Sequence, residues 1–224
     1  MKPSDWLMQL SGHYPSLREL DPEFRMTPDD SLRFVSVWLC EGIPFAFQSH
    51  PAAFGAVCEW LSGRMHISFR DIGLTGSARL GYSLNPRKFG AQYTEETSDI
   101  DLFVVNQRWF ENLSQEACAF VEDLRSGSVA PSNEAQRRYW PDNASTVVSN
   151  IKNGFIDSWK VPTLDRYEAF CDIGQAAYGF HLNLEKWIGR KFIKRTKIRV
   201  YTDWEHARKQ MSYNLRKAIE HRGC

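Results

Sequence analysis

The sequence contains no apolar run that approaches the length of a membrane span. Its opening, MKPSDWLMQL, lacks the apolar core of a signal peptide. A cytoplasmic protein with no membrane partner is therefore expected. An excess of one charge is also missing, since 28 basic side chains stand against 27 acidic ones. That balance argues against a protein built to coat nucleic acid. Cysteine is sparse: Cys40, Cys58, Cys118, Cys171 and Cys224 are odd in number, scattered, and include no Cys-x-x-Cys pair. Buried, reduced thiols are the reading, with no disulfide framework. There is no internal repeat and no low-complexity tract. Disorder is excluded as well, because 42% hydrophobic and 13% aromatic residues are ample for a core.

What the sequence does hold is concentrated in Asp71–Val105. A short apolar run, Ile72-Gly73-Leu74, reaches Gly76-Ser77. A polar segment rich in Gly and Tyr follows, and the stretch closes with Ser98-Asp99-Ile100-Asp101-Leu102-Phe103-Val104-Val105. The closing run reads as a buried strand. Side chains alternate along a strand, so Asp99 and Asp101 point the same way and Ile100 and Leu102 the other. Two carboxylates side by side at the start of an apolar strand repel each other unless a cation sits between them. Hard oxygen ligands of this kind suit Mg²⁺, which binds one or two carboxylates together with substrate phosphates. A glycine lets backbone approach a phosphate, and Ser77 adds a hydroxyl and an N–H at a helix start.

These motifs resemble the nucleotidyltransferase superfamily typified by DNA polymerase β, whose signature is a Gly-Ser turn after a first strand and Asp-x-Asp on the next. The resemblance covers roughly residues 66–106. Ser77 and Asp99 are 22 positions apart, about twice the spacing in small members of the family, so Asn85–Thr97 reads as a loop insertion. The resemblance implies an α/β (α+β) fold with a small twisted mixed sheet and helices before and after it. It implies Mg²⁺- or Mn²⁺-dependent transfer of a nucleoside monophosphate from an NTP or dNTP to a hydroxyl acceptor, with release of pyrophosphate. Asp99 and Asp101 would hold metal, and Gly76 and Ser77 the triphosphate. The acceptor is open: another nucleotide, giving a small signal of the kind made in antiphage defence, a tRNA end, a protein side chain, or a small molecule. A catalytically silent nucleotide binder or antitoxin-type member is the alternative class.

A second metal needs a third carboxylate. Asp203, after the alternating stretch Arg195–Tyr201, is one candidate for that role. Asp157, in Phe155-Ile156-Asp157 and followed by Pro162, is the other. Arg79, Lys88 and Arg199 join Gly76 and Ser77 as nucleotide-binding candidates. For Arg79 a solvated helix charge is equally open, and for Lys88 a loop lysine serving solubility. His50 and His66 read as cap or surface residues.

Around this core, one domain over 1–224 is expected: N-terminal helices over 1–65, the core over 66–106, and a mainly helical part over 107–224 with a late strand near 195–202. Thr27-Pro28-Asp29-Asp30 starts a helix that the pattern carries to Gly42. A helix follows near Pro51. Another runs from Trp109 to Leu124, and a further one is interrupted at Pro141. Phe155–Pro162 reads as a short strand or an extended connector, and Tyr167–Trp187 as a helix. Thr202–Glu205 reads as a capping box opening a last helix to about His221.

Overall fold

The computed structural model describes residues 3–20, 26–189 and 196–220. Among the described residues four strands build one sheet: β1 (Ile72–Thr75), β2 (Ile100–Val105), β3 (Phe155–Asp157) and β4 (Thr196–Tyr201). Their order in space is β1-β2-β4-β3. β2 and β4 run parallel, and β1 and β3 are antiparallel to their neighbours. Eight α-helices accompany the sheet among the described residues: α1 (Asp5–Gln9), α2 (Pro28–Phe34), α3 (Pro51–Met65), α4 (Ser77–Leu80), α5 (Gln107–Ser126), α6 (Glu134–Lys152), α7 (Glu168–Ile188) and α8 (Trp204–Glu220). The chain is thus a mixed α+β protein with a small mixed sheet. Among the described residues no helix is long and apolar enough to cross a membrane.

Alternation divides the strand side chains between two cores. Ile100, Leu102, Val104, Ile156, Ile198 and Val200 pack with Val57, Leu61, Leu113, Phe120, Val147, Phe170 and Phe180, which come from α3, α5, α6 and α7. Phe103, Val105, Phe155 and Tyr201 pack on the other face with Phe34, Val35 and Leu39, and with Ala207, Met211 and Leu215 of α8. Helices therefore cover both faces, which is why β2 reads as a nearly continuous apolar run. Asp99 and Asp101 stand at the one end of β2 where the apolar run has not yet begun.

Several expected boundaries move. The helix expected from Pro28 to Gly42 is α-helical only to Phe34. Val35–Leu39 is a π turn, closed by the Cys40 amide donating to the Val35 carbonyl at 3.0 Å. Val35 and Leu39 are both buried there and Phe34 stacks on Trp38, so packing favours the wider turn. Pro141 does not interrupt α6. It lies on an exposed stretch, so the Arg137 carbonyl deprived of its donor faces water, while Trp140, Ala144 and Val147 stay buried on the other side. The last helix is capped by Asp203 and not by Thr202, because Asp203 Oδ1 accepts from the His206 amide at 2.8 Å. The expected strand start at Arg195 and helix end at His221 lie outside the described residues, as does Cys224.

The loop insertion is tied down at its base. Tyr82 bridges Gln92, the Tyr93 amide donates to Gly81 O at 2.8 Å, and the Gly90 amide donates to Ser83 O at 2.9 Å. The buried Tyr82 hydroxyl donates to Pro15 O at 2.8 Å, which anchors the base of the loop to the N-terminal segment. Lys88 is carried on a 3-10 turn at its outer end.

Candidate functional site

A cleft of about 690 Å³ opens at the N-terminal ends of β2 and β4. Its wall is built in strand order. From the end of β1 come Thr75, Gly76 and Ser77, from the start of β2 Asp99 and Asp101, and from β4 Lys197 and Arg199. Trp159 follows β3. Lys88 and Asn85 of the insertion close one side, and Asn214 and Lys217 of α8 another; Leu39 and Met211 add apolar surface.

The register explains why the two motifs meet. Thr75 is paired with Asp101, so the chain leaves β1 directly beside the carboxylate. Gly76 then turns with φ +68° and ψ −152°, a conformation essentially confined to glycine. A Cβ there would lie 3.4 Å from Asp101 Oδ2. Glycine both allows the turn and leaves open space against the acid. Ser77 begins α4, and the Gly76 carbonyl is already held by the Arg79 and Leu80 amides at 3.1 and 3.3 Å.

Asp101 is recessed. Burial pushes its carboxyl above the ordinary range; Lys197 opposes the shift, Asp99 adds to it, Arg199 opposes it, and Asp157 adds to it. No donor among the described residues reaches its carboxylate. Asp99 has a partner: Lys197 Nζ donates to its Oδ2 at 2.7 Å, both side chains being about one-third exposed. Lys197 also lies 5.7 Å from the centre of the Trp159 ring. Arg199 is engaged deeper in the wall. Its Nε donates to Asp157 Oδ1 at 2.6 Å, and its guanidinium stands 4.8 Å over Phe155. Burial lowers the Arg199 pKa, but neighbouring Tyr201 and Asp157 raise it more, so it stays charged.

Gly76, Ser77, Asp99, Asp101, Lys88 and Arg199 all line this one cleft. Arg79 does not. It is buried, and its guanidinium turns away to donate to Ile43 O at 2.7 Å and to the Glu41 carbonyl. It pins the turn after α2 and has no route to a phosphate. Asp203 is not brought in either. Lys197 is the β4 residue level with Asp101, and Asp203 lies six residues further along, past the end of β4 at Tyr201, which is itself roughly 13 Å on at strand rise. There it caps α8, and the His206 amide holds its carboxyl below the usual range. Asp157 is on the correct face but one strand further out, level with Arg199. It is buried, bound to Arg199, and accepts from Asn150 Nδ2 at 3.2 Å. Among the described residues, no three His, Cys, Asp or Glu side chains are placed to share one ion.

Sequence reasoning missed Trp159 and the level position of Lys197. Alternation puts Lys197 on a face with Arg199, but only the parallel pairing of β2 with β4 puts it beside Asp101. The cleft is lined by four cationic side chains, Lys88, Lys197, Arg199 and Lys217, against the two acids. Such a surface suits a polyanion that brings its own divalent cation. His50 and His66 lie at the two ends of α3, His66 in a left-handed C-cap with φ +53°, and neither lines the cleft.

Comparison with known proteins returns no matching family model, no matching curated protein and no matching solved structure.

Proposed function

We propose that the cleft binds a nucleoside triphosphate with a divalent cation and transfers its nucleoside monophosphate to a hydroxyl, releasing pyrophosphate. The chemistry is that of the polymerase-β-like superfamily that the motifs resemble. One observation carries the reading: the Gly76-Ser77 turn lies directly against the Asp101 carboxylate, so that a Cβ at Gly76 would touch Asp101 Oδ2 at 3.4 Å. A phosphate grip and a pair of hard oxygen donors thus share one wall. The donor set fits a single Mg²⁺ or Mn²⁺ held by Asp99 and Asp101 and completed by phosphate oxygens. Bound there, the ion supplies Lewis-acid stabilisation of charge on the phosphoryl oxygens.

The remaining work falls to the chain. The Ser77 hydroxyl and amide grip the triphosphate. Lys88 and Lys197 neutralise it, with Arg199 behind them fixed by Asp157. A triphosphate offers Lys197 a stronger anionic partner than the partly exposed Asp99, so Lys197 moves from the acid to the substrate and frees Asp99.

A second reading has its own observation in favour. The strand position level with Asp101 holds Lys197, a cation, and neither Asp157 nor Asp203 reaches the pair. A binder that holds the nucleotide without transferring it fits that arrangement. Incubation of the purified protein with labelled nucleotides and Mg²⁺ separates the two. Transfer predicts pyrophosphate and a nucleotidylated product, both lost in Asp99→Asn/Asp101→Asn; product separation then identifies the acceptor. Mg²⁺-dependent nucleotide binding without pyrophosphate supports the second reading, and absence of binding refutes both.

A further inference from the structure

We propose that the indole of Trp159 is the platform on which the base of the bound nucleotide stacks, an inference that rests on the nucleotide reading of the cleft. Trp159 sits in the 3-10 turn Ser158–Lys160 directly after β3. Its neighbours fix the backbone. Asp157 is buried on one side and Val161 on the other, and Lys160 Nζ donates to Asn143 Oδ1 at 3.1 Å. Yet Trp159 as a residue is 43% exposed. A large ring held on an anchored turn and left half in water presents aromatic surface to a ligand.

Position makes that ligand a base. Across the mouth of the sheet the order is Gly76-Ser77, then Asp99 and Asp101, then Lys197, then Trp159. Phosphate grip, metal acids and aromatic ring thus follow one another in the order of a nucleotide laid from its triphosphate to its base. Lys197 spans the gap, with Nζ 2.7 Å from Asp99 and 5.7 Å from the ring centre. That contact turns the π face toward the acids, and the movement of Lys197 onto the triphosphate clears it for the base. The other aromatic in the lining, Tyr201, is fully buried and offers no face. Stacking of this kind tolerates every base, because each presents a π surface. The site is accordingly expected to accept purine and pyrimidine nucleotides with similar affinity, purines somewhat better.

The test uses the full chain with Mg²⁺ and compares ATP, CTP and inorganic tripolyphosphate, which keeps the phosphates and lacks the base. Calorimetry on Trp159→Ala is expected to show ATP and CTP affinity falling about 5- to 150-fold, the range for loss of one aromatic stack. Tripolyphosphate affinity is expected to stay unchanged. Trp159→Phe retains a ring and should recover most of the loss, which guards against a folding defect in the alanine variant. Equal weakening of ATP and tripolyphosphate, or unchanged ATP affinity, overturns the stacking role. If tripolyphosphate and ATP both fail to bind the wild-type protein, the nucleotide reading itself falls and the stacking role falls with it.

Discussion

Lys197 and Arg199 stand two residues apart on one strand face, yet their loss should have very different consequences. Arg199→Met removes the guanidinium that donates to Asp157 at 2.6 Å. Asp157 is only 5% exposed, and Asn150 would remain as a single neutral donor at 3.2 Å. Breaking a buried pair from one side leaves an uncompensated charge, at a cost of about 3–5 kcal/mol. For a chain of this size that is a fall in Tm of roughly 6–20 °C. Lys197→Met breaks a pair in which both partners are about one-third exposed. Water screens that interaction, so the loss should be within about 1 kcal/mol, or roughly 0–4 °C. Thermal melts followed by circular dichroism, with urea titrations alongside, read both values. Arg199→Met/Asp157→Asn provides the control, because it removes both charges and should recover a large part of the loss. Equal destabilisation by the two single variants, or a double variant no better than Arg199→Met, would refute the division into a structural and a mobile cation.

Other outcomes follow from the same geometry. Ser77→Ala should weaken nucleotide binding by about 1–3 kcal/mol in calorimetry, the cost of one hydrogen bond to a charged group, and Gly76→Val should abolish it. Asp101→Asn should end Mg²⁺-dependent nucleotide binding and also raise Tm at neutral pH. The folded-state pKa of Asp101 lies above its unfolded value, so its charged form is penalised in the fold. That penalty is absent below the unfolded pKa and develops as pH rises through the carboxylate range; the Tm gain of the variant should follow the same course. Arg79→Met should orphan the Glu41 and Ile43 carbonyls and lower stability by about 2–5 kcal/mol. Nucleotide affinity of the folded protein should be unchanged, and any selective loss of affinity would contradict the placement of Arg79.

The site was legible where its signal is local. Gly76 before a helix start and Asp99-x-Asp101 before an apolar run are short-range patterns, and the β1–β2 pairing brings them together. Helices α3, α5 and α7 were legible from apolar spacing. What escaped depends on partners distant in sequence. Arg79 looks like an exposed helix cation until the Glu41 and Ile43 carbonyls are seen to enclose it. Asp203 shares an alternating face with Lys197 on paper, but the strand has ended and α8 has begun by that point. Trp159 follows a three-residue strand too short to show a period. Pro141 misled because the rule against proline in helices concerns a lost hydrogen bond, and on an exposed flank water replaces it.

The sheet order carries a consequence for how the molecule is made. β4 is the last strand in sequence among the described residues, yet it lies between β2 and β3. During synthesis the first three strands leave the ribosome with the middle position of their sheet vacant. β2 then has a free edge along its whole apolar length, and β3 has no neighbour at all. Closing the gap joins residues nearly a hundred positions apart, Asp99 with Lys197 among them, which makes it the entropically costly and slow step. The two acids and the cations that face them therefore exist as a site only after the final strand has docked. Until then the polypeptide exposes an open strand edge that a second copy could pair with, a period in which association competes with folding.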